Sequence, residues 1–259
     1  MARALIDLWE GIGRFWLWGV LAWSDIRQRY RGSVLGPFWL TLSSAIMIGS
    51  LGILYARLFK ADITSYLPSL ALGLLVWSLI STTLTESCSA FFSADHIIRQ
   101  IKLPLSVYIY RLVARNLIVF AHNIVVSVVV LVWFHVPVGW RDALAVPGLM
   151  IIVLTSVPAS LVLALLCARF RDMPQIVASL LQVIFFLTPI MWDRSLLGSN
   201  GWVVGLNPFA AFIDIVRAPL LGQLPDTASW FIALGVLVLS WLIAVPLFAR
   251  VRGRVAYWM

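Results

Sequence analysis

Residues 144–168 read LAVPGLMIIVLTSVPASLVLALLCA, a stretch without a single charged side chain. As a helix rising about 1.5 Å per residue it covers roughly 37 Å, more than the ~30 Å hydrocarbon layer of a bilayer. The same character returns on both sides, near 35–59, 66–92, 104–134, 174–191 and 228–249. The pattern therefore predicts six spans. The one at 104–134 is long enough to tilt or to run on past the bilayer, while 174–191 covers only about 27 Å. Composition agrees. Of 259 residues 62% are hydrophobic and only 12% charged, where a soluble domain carries roughly 25% charged residues. So little charge cannot coat a surface that faces water, and the mean hydropathy of +0.98 says the same. The expectation is an all-α membrane protein, with residues 1–259 forming one transmembrane domain.

The net charge of +8 and pI near 10.2 could suggest nucleic acid, but the cations sit in short groups between apolar runs. One alternate set of connections holds Arg3, Arg14, Arg27, Arg29 and Arg31, then Arg99, Lys102, Arg111 and Arg115, then Arg169 and Arg171, then Arg250, Arg252 and Arg254. The other set holds only Arg57, Lys60, Arg141, Arg194 and Arg217. Positive charge collects on the cytoplasmic face, so both ends are expected in the cytoplasm. Trp133, Trp140, Trp192, Trp202 and Trp230 fall near the opposite ends, where an aromatic belt belongs.

Two segments do not fit a simple span. Phe15 to Trp23 is apolar but too short to cross, and it lies between Asp7, Glu10 and Arg14 on one side and Asp25, Arg27, Arg29 and Arg31 on the other. Residues 4–30 read as an amphipathic helix lying in the cytoplasmic interface. A cleaved leader is the alternative, but arginines rather than small residues follow the apolar run. The other segment, 203–222, is broken by Asn207-Pro208 and Pro219. Were it a full crossing, the basic tail would land outside. A hairpin that dips into the outer leaflet and returns keeps the charge bias, and irregular backbone at that depth survives only against protein or a cavity. That combination suggests a gate.

Chemistry is conspicuous by its absence. Neither Lys60 nor Lys102 follows a glycine, so there is no phosphate-cradling P-loop. Gly11-x-Gly13 lacks the third glycine of a dinucleotide site, and neither H-E-x-x-H nor G-x-S-x-G occurs. Cys88 and Cys167 give no disulfide framework and no metal quartet. No catalytic set, resident cofactor or metal is expected. His122 beside Asn123 reads as an interhelical hydrogen-bonding pair. Glu86, the one carboxylate inside a span, lies near its cytoplasmic end and can reach water or arginine, which favours a structural or coupling role over ion transport. Energy for transport must come from elsewhere.

Polar and aromatic side chains do fall on regular faces. In the fifth span Gln175, Ser179, Gln182 and Phe186 recur at intervals of four, three and four, one helical face, and Pro189 follows. The first span offers Trp39, Ser43 and Ser50, with Tyr55 and Phe59 toward its outer end. Hydroxyls that want hydrogen bonds and pyranose faces that stack on rings would suit such a lining; on spacing alone, plain helix–helix packing explains it slightly better. Between the second and third spans, Ala94 to Leu103 reads ADHIIRQIKL. Asp95 suits an N-cap for a short cytoplasmic helix, either a knob for a partner or a solvated connector.

Taken in order, DIRQRYRGSVLGPFW (25–39), IIRQIKLPLSVY (97–108), FRDMPQIVASLLQVIFFLTPIMW (170–192), NPFAAFIDIVRAPLLG (207–222) and RVAYWM (254–259) resemble the permease subunit of bacterial ABC exporters for O-antigen, capsule and teichoic-acid polysaccharides. The resemblance implies six spans per subunit, a homodimer, and two copies of a separate ABC ATPase that binds ATP and Mg. It implies that Asp95, His96, Ile97, Ile98, Arg99, Gln100 and Lys102 form the coupling helix seated on that ATPase. It implies a channel lined by the first and fifth spans and a periplasmic gate containing Asn207, Pro208, Phe209 and Arg217. Arg27, Arg29, Tyr30 and Arg31 would then sit where a lipid-linked pyrophosphate enters, since guanidinium groups bond phosphate oxygens bidentately; anchoring to anionic lipid is the plainer role for them. Arg99-Gln100 and Leu103 stand where relatives commonly show a lysine pair and Phe. A drug or lipid exporter of the same architecture, or a membrane-embedded transferase, are the competing functions. The aromatic load and the interface helix weigh against the former, the missing catalytic set against the latter.

Overall fold

A computed structural model describes residues 1–33, 36, 38–194 and 202–258. Among these the chain is helical throughout, without strands. Its helices are α1 (Ala2–Gly13), α2 (Phe15–Arg29), α3 (Phe38–Leu58), α4 (Ile63–Ser87), α5 (Asp95–Gln100), α6 (Ser106–Trp133), α7 (Ala145–Arg169), α8 (Met173–Leu187), α9 (Trp202–Gly205), α10 (Pro208–Leu220), α11 (Thr227–Val251) and α12 (Val255–Trp258). The long helices start where the sequence supplies caps. Asp62 accepts from Thr64 N at 3.0 Å to open α4, and Asp226 accepts from Ala228 N at 3.1 Å to open α11. Each satisfies one of the four amide donors that a helix start leaves orphaned.

Among the described residues five helices are long and apolar enough to cross a bilayer: α3, α4, α6, α7 with its preceding 3-10 turn, and α11 with the turn that follows it. The segment expected as a fifth span, 174–191, forms the 15-residue α8. Thr188-Pro189 stops it early, because Thr188 adopts an extended backbone before the proline. At about 1.5 Å per residue α8 covers roughly 22 Å.

The packing is arranged around α4, 67% of whose most apolar window is buried, against 11% for α3. Leu70, Ala71, Leu72 and Val76 of α4 are almost fully enclosed, with α3, α6, α7, α8 and α10 as neighbours. The buried residues form two clusters stacked along the bundle. One gathers α1, the ends of α4, α7 and α11, the start of α6 and Val255. The other gathers the rest, with Ile190 and the buried face of α10. Side chains such as Leu54, Val132, Leu242 and Phe231 face outward at 61–72% exposure, as a lipid-bathed surface requires.

The segment read as one interface helix over 4–30 is two helices. The chain turns at Arg14 (φ −90°, ψ 35°), and Trp18 Nε1 donates to the freed carbonyl of Gly11 at 3.2 Å. One side of α1 packs on the start of α6. Gly11 approaches so closely that a Cβ there would stand 2.2 Å from Ser106 Oγ and 2.9 Å from the Tyr110 ring. Asp7, 3% exposed, accepts from the Ser106 amide (3.1 Å) and hydroxyl (2.9 Å) and from the Leu105 amide (3.3 Å). Arg252 completes its shell at 3.2 Å. A carboxylate at a helix start meets both orphan amides and the positive end of the dipole, which is what makes burying it tolerable. The other side of α1 leaves Leu5, Ile6, Trp9 and Ile12 exposed.

Candidate transport site

At the cationic end of the bundle, α5 protrudes between α4 and α6. Ala94, not Asp95, is its cap residue, and no side chain caps it; Asp95 is the first helical residue. The preceding 3-10 turn at Phe92–Ala94 occupies the flank where a capping side chain would fold back. Ile98 is half-buried against the core beneath, while His96, Ile97, Gln100 and Lys102 are exposed. The side chain of Arg99 lies outside the described residues. The exposed group alternates apolar and polar, with Phe92 at 41% and Ile101 at 54% adding apolar area.

Beside α5, α2 packs along α6 and presents two chemically different sides. Arg27 and Arg31 line an open groove of about 570 Å³ together with Val20, Trp23, Ser24 and Gln28. Arg29 turns the other way and donates to Glu86 Oε1 at 2.9 Å. Glu86 also accepts from Arg115 Nη2 at 2.7 Å, so it reaches arginine as its depth suggested. Arg115 bonds Asp25 at 3.1 Å, and Arg111 grips the same carboxylate with two nitrogens, Nε at 2.8 Å. The result is a chain of alternating charge, Arg111–Asp25–Arg115–Glu86–Arg29, that ties α2, α4 and α6 together. A cavity of about 220 Å³ opens against it, with Ser89, Ser93 and Tyr108 on its wall. Tyr30 closes α2 as its C-cap residue; burial pushes its phenol above the ordinary value, with the neighbouring Arg29 guanidinium opposing the rise. Of the four residues grouped by sequence, Arg29 belongs to the internal network and Arg27 and Arg31 to the outer groove.

The polar faces on α3 and α8 point away from the bundle. Gln175, Ser179, Gln182 and Phe186 are all exposed, while Val177 and Leu181 on the opposite side of α8 are buried in the core. On α3, Trp39, Ser43, Ser50 and Phe59 are exposed and Tyr55 is half-buried, stacked on Phe59 at 5.6 Å. Asn123 does make an interhelical bond, accepting from Ser44 on α3 at 3.2 Å. His122 instead contacts the Ile118 carbonyl of its own helix at 2.8 Å.

At the other end of the bundle, α9 and α10 occupy the segment expected to form a hairpin, followed by a turn at Gly222 (φ +73°). Asn207 caps α10, accepting from Phe209 N at 2.9 Å, and its amide donates to Thr188 Oγ1 at 3.0 Å. Pro208, at the first helical position, costs no hydrogen bond there. Phe209 meets Trp77 of α4 edge-on, with ring centroids 5.8 Å apart. Arg217 Nη1 donates to the Pro189 carbonyl at 2.9 Å, and Tyr66 donates to the Met191 carbonyl at 2.6 Å. The turn that ends α8 is therefore held three ways, by both halves of α10 and by α4. α10 itself is pressed onto α7, where a Cβ on Gly148 would stand 2.6 Å from the Ile215 carbonyl oxygen.

Sequence reasoning singled out Glu86 and Arg29 but passed over Asp7, Asp25, Arg111 and Arg115 as flanking charge. Their partners lie from 29 to 245 residues away along the chain; a carboxylate followed within a few residues by arginines gave no sign of which cations it would meet. Among the described residues no group of His, Cys, Asp and Glu could hold a metal ion.

Known proteins bear on this arrangement. Residues 17–221 match the family model described as ABC-2 type transporter. The chain is 26% identical over 207 residues to the O-antigen export system permease protein RfbA of Myxococcus xanthus, covering 78% of this chain and 79% of that one. It is 24% identical over 200 residues to the permease of the same name from Klebsiella pneumoniae, covering 75% and 76%. With apolar helices long enough to cross a bilayer and a family match over most of its length, this integral membrane protein belongs to the ABC-2 type transporter family.

Proposed function

We propose that the chain is the permease subunit of an ATP-driven exporter that moves a lipid-linked, O-antigen-like polysaccharide across the bacterial inner membrane, from the cytoplasmic to the periplasmic side. The observation that carries this reading is the uncovered polar and aromatic faces of α3 and α8 on an otherwise lipid-suited bundle. Gln182 lies about nine residues into α8, some 14 Å from its start. A carboxamide left in hydrocarbon at that depth costs roughly 4 kcal/mol or more, so water, glycan or a second copy of the chain has to meet it. A homodimer that turns α3 and α8 of each copy toward the other encloses a passage lined by hydroxyls, amides and rings. Names of relatives in two bacteria point to the same class of cargo.

The remaining parts take their places around that passage. α8 starts four residues after α7 ends, and the turn that follows it is bonded to α4 and α10, which supports a sixth crossing completed by residues 188–192. Arg217 approaches Gly73, ten residues into α4, and a guanidinium about 15 Å down the bundle supports a re-entrant α10. In this reading Asn207, Pro208, Phe209 and Arg217 form a periplasmic gate latched to the end of α8. The exposed side of α5, with His96, Ile97, Gln100 and Lys102, seats on a separate ABC ATPase, two copies per dimer, which binds ATP and Mg. Both ends of the chain are then cytoplasmic.

The lipid-linked diphosphate is received by Arg27 and Arg31, whose groove faces out, rather than by Arg29, which is engaged with Glu86. Arg27→Ala with Arg31→Ala is expected to reduce surface polysaccharide at unchanged membrane abundance, whereas Arg29→Ala lowers abundance as well. Immunoblots of membranes beside surface-glycan staining separate the two; normal export from the Arg27/Arg31 double variant would remove the diphosphate role. The test of the whole reading is a gentle-detergent pull-down of the tagged chain from its native membranes. A stoichiometric P-loop ATPase is expected to co-purify. An intact, dimeric chain without one, reproducibly, would overturn the assignment.

A further inference from the structure

We propose that the hollow between α1 and the segment after α11 binds an anionic phospholipid of the cytoplasmic leaflet. It measures about 800 Å³ and is walled by Arg3, Arg250, Arg252 and Arg254 among small residues. Among the described residues no carboxylate lines it. The nearest, Asp7, is buried and already bonded to the start of α6 and to Arg252. Arg252 is further fixed by donating to the Arg3 carbonyl and by lying over the Phe248 ring at 5.9 Å. Arg3, Arg250 and Arg254 are exposed, three cations on one concave surface whose described lining includes no carboxylate.

Two apolar stripes lead into the hollow and decide what kind of anion fits. On α11, Leu239, Ile243 and Arg250 follow at intervals of four and seven, one helical face, with the two apolar residues 56% and 50% exposed. On α1, Met1, Leu5 and Trp9 share a face and are 68%, 54% and 77% exposed. Each stripe thus runs from bare hydrocarbon to the cationic cup. A soluble anion would use the arginines and ignore the stripes. A protein partner approaching from the cytoplasm would reach the cup but not the α11 stripe, which lies in the span. A diacyl phosphate uses both: its headgroup meets the arginines, and its chains lie along α11 and beneath α1. Basic pockets between helices at the cytoplasmic face are suited to such headgroups.

The test is native mass spectrometry of the full chain released from nanodiscs of phosphatidylcholine with phosphatidylglycerol, counting each lipid retained. Wild type is expected to retain phosphatidylglycerol roughly tenfold over its share of the mixture, since each arginine near the surface adds to the attraction. Arg3→Ala/Arg250→Ala/Arg254→Ala is expected to bring that preference to within about twofold, while the three Lys replacements keep most of it. Arg57→Ala/Lys60→Ala, at the other end of the bundle, changes nothing. Three results would overturn the proposal: no preference in wild type, undiminished preference in the triple Ala variant, or displacement of the lipid by excess inorganic phosphate, which would mark a site for any phosphate. If the Ala variant sheds a bound protein yet keeps its lipid, the cup is a protein interface and the proposal falls. If the Ala variant cannot be purified, the wild-type preference and its survival in the Lys variant decide.

Discussion

Asp25→Ala is expected to lower the unfolding midpoint of the detergent-solubilised chain by roughly 5–10 °C, more than any single arginine replacement in the same network. The order follows from counting partners. Asp25 serves both Arg111 and Arg115, so its loss strands one guanidinium wholly and leaves the other with Glu86 alone. Truncating Arg115 leaves Asp25 with Arg111 and Glu86 with Arg29, so each carboxylate keeps a partner. Breaking a fully buried pair costs about 3–5 kcal/mol. Here the side chains retain 13–24% exposure, and solvent screening brings the figure to about 2–4 kcal/mol. Differential scanning fluorimetry of Asp25→Ala, Arg111→Ala and Arg115→Ala in one detergent checks the ranking. Equal midpoints for all three would mean that the pairs are solvated and do little to hold α2 on α6.

Gly148→Leu is expected to abolish export and to lower thermal stability, by a mechanism with the opposite sign at an ordinary glycine. Replacing glycine inside a helix normally gains about 1 kcal/mol of helix propensity. At Gly148 the first added carbon meets a backbone oxygen 2.6 Å away on α10, which cannot rotate aside. Overpacking of this kind costs about 1–3 kcal/mol, and more when the obstacle is backbone. The clash therefore wins, and α10 is pushed off α7, loosening the Arg217 and Asn207 holds on the end of α8. Gly235→Ala in α11, where a Cβ meets nothing within 4 Å, is the control and should be neutral or slightly stabilising. Stability of Gly148→Leu equal to that control would show that α10 does not rest on α7.

The outer architecture was readable from sequence because it depends on averages. Uncharged runs such as 144–168 specify spans whatever their partners, and the clustering of arginine separates the two ends of the bundle. The spacing of Gln175, Ser179 and Gln182 likewise identified one face of α8, and that face is exposed. Its length was not readable: an apolar run to Trp192 hides the stop that Thr188-Pro189 imposes. The break at Arg14 was hidden for a related reason, since neither Gly11 nor Gly13 declares a turn until Ser106 and Tyr110 press on the helix. Asp7 and Asp25 looked like surface charge beside an apolar run. What makes them internal is contact with α6, a fact about distant chain segments that periodicity does not encode.

The shell around Asp7 also sets an order of assembly. Its hydrogen-bond donors at residues 105 and 106 leave the ribosome long before Arg252, which lies 245 positions after it. During synthesis α1 can settle on the start of α6 as soon as that helix inserts, with the carboxylate still short of its cation. Only when α11 has inserted does Arg252 arrive to balance the buried charge. A late segment of the chain thus completes the anchoring of an early one. A chain halted before Arg252 leaves that carboxylate held by the amides and hydroxyl at the start of α6 alone.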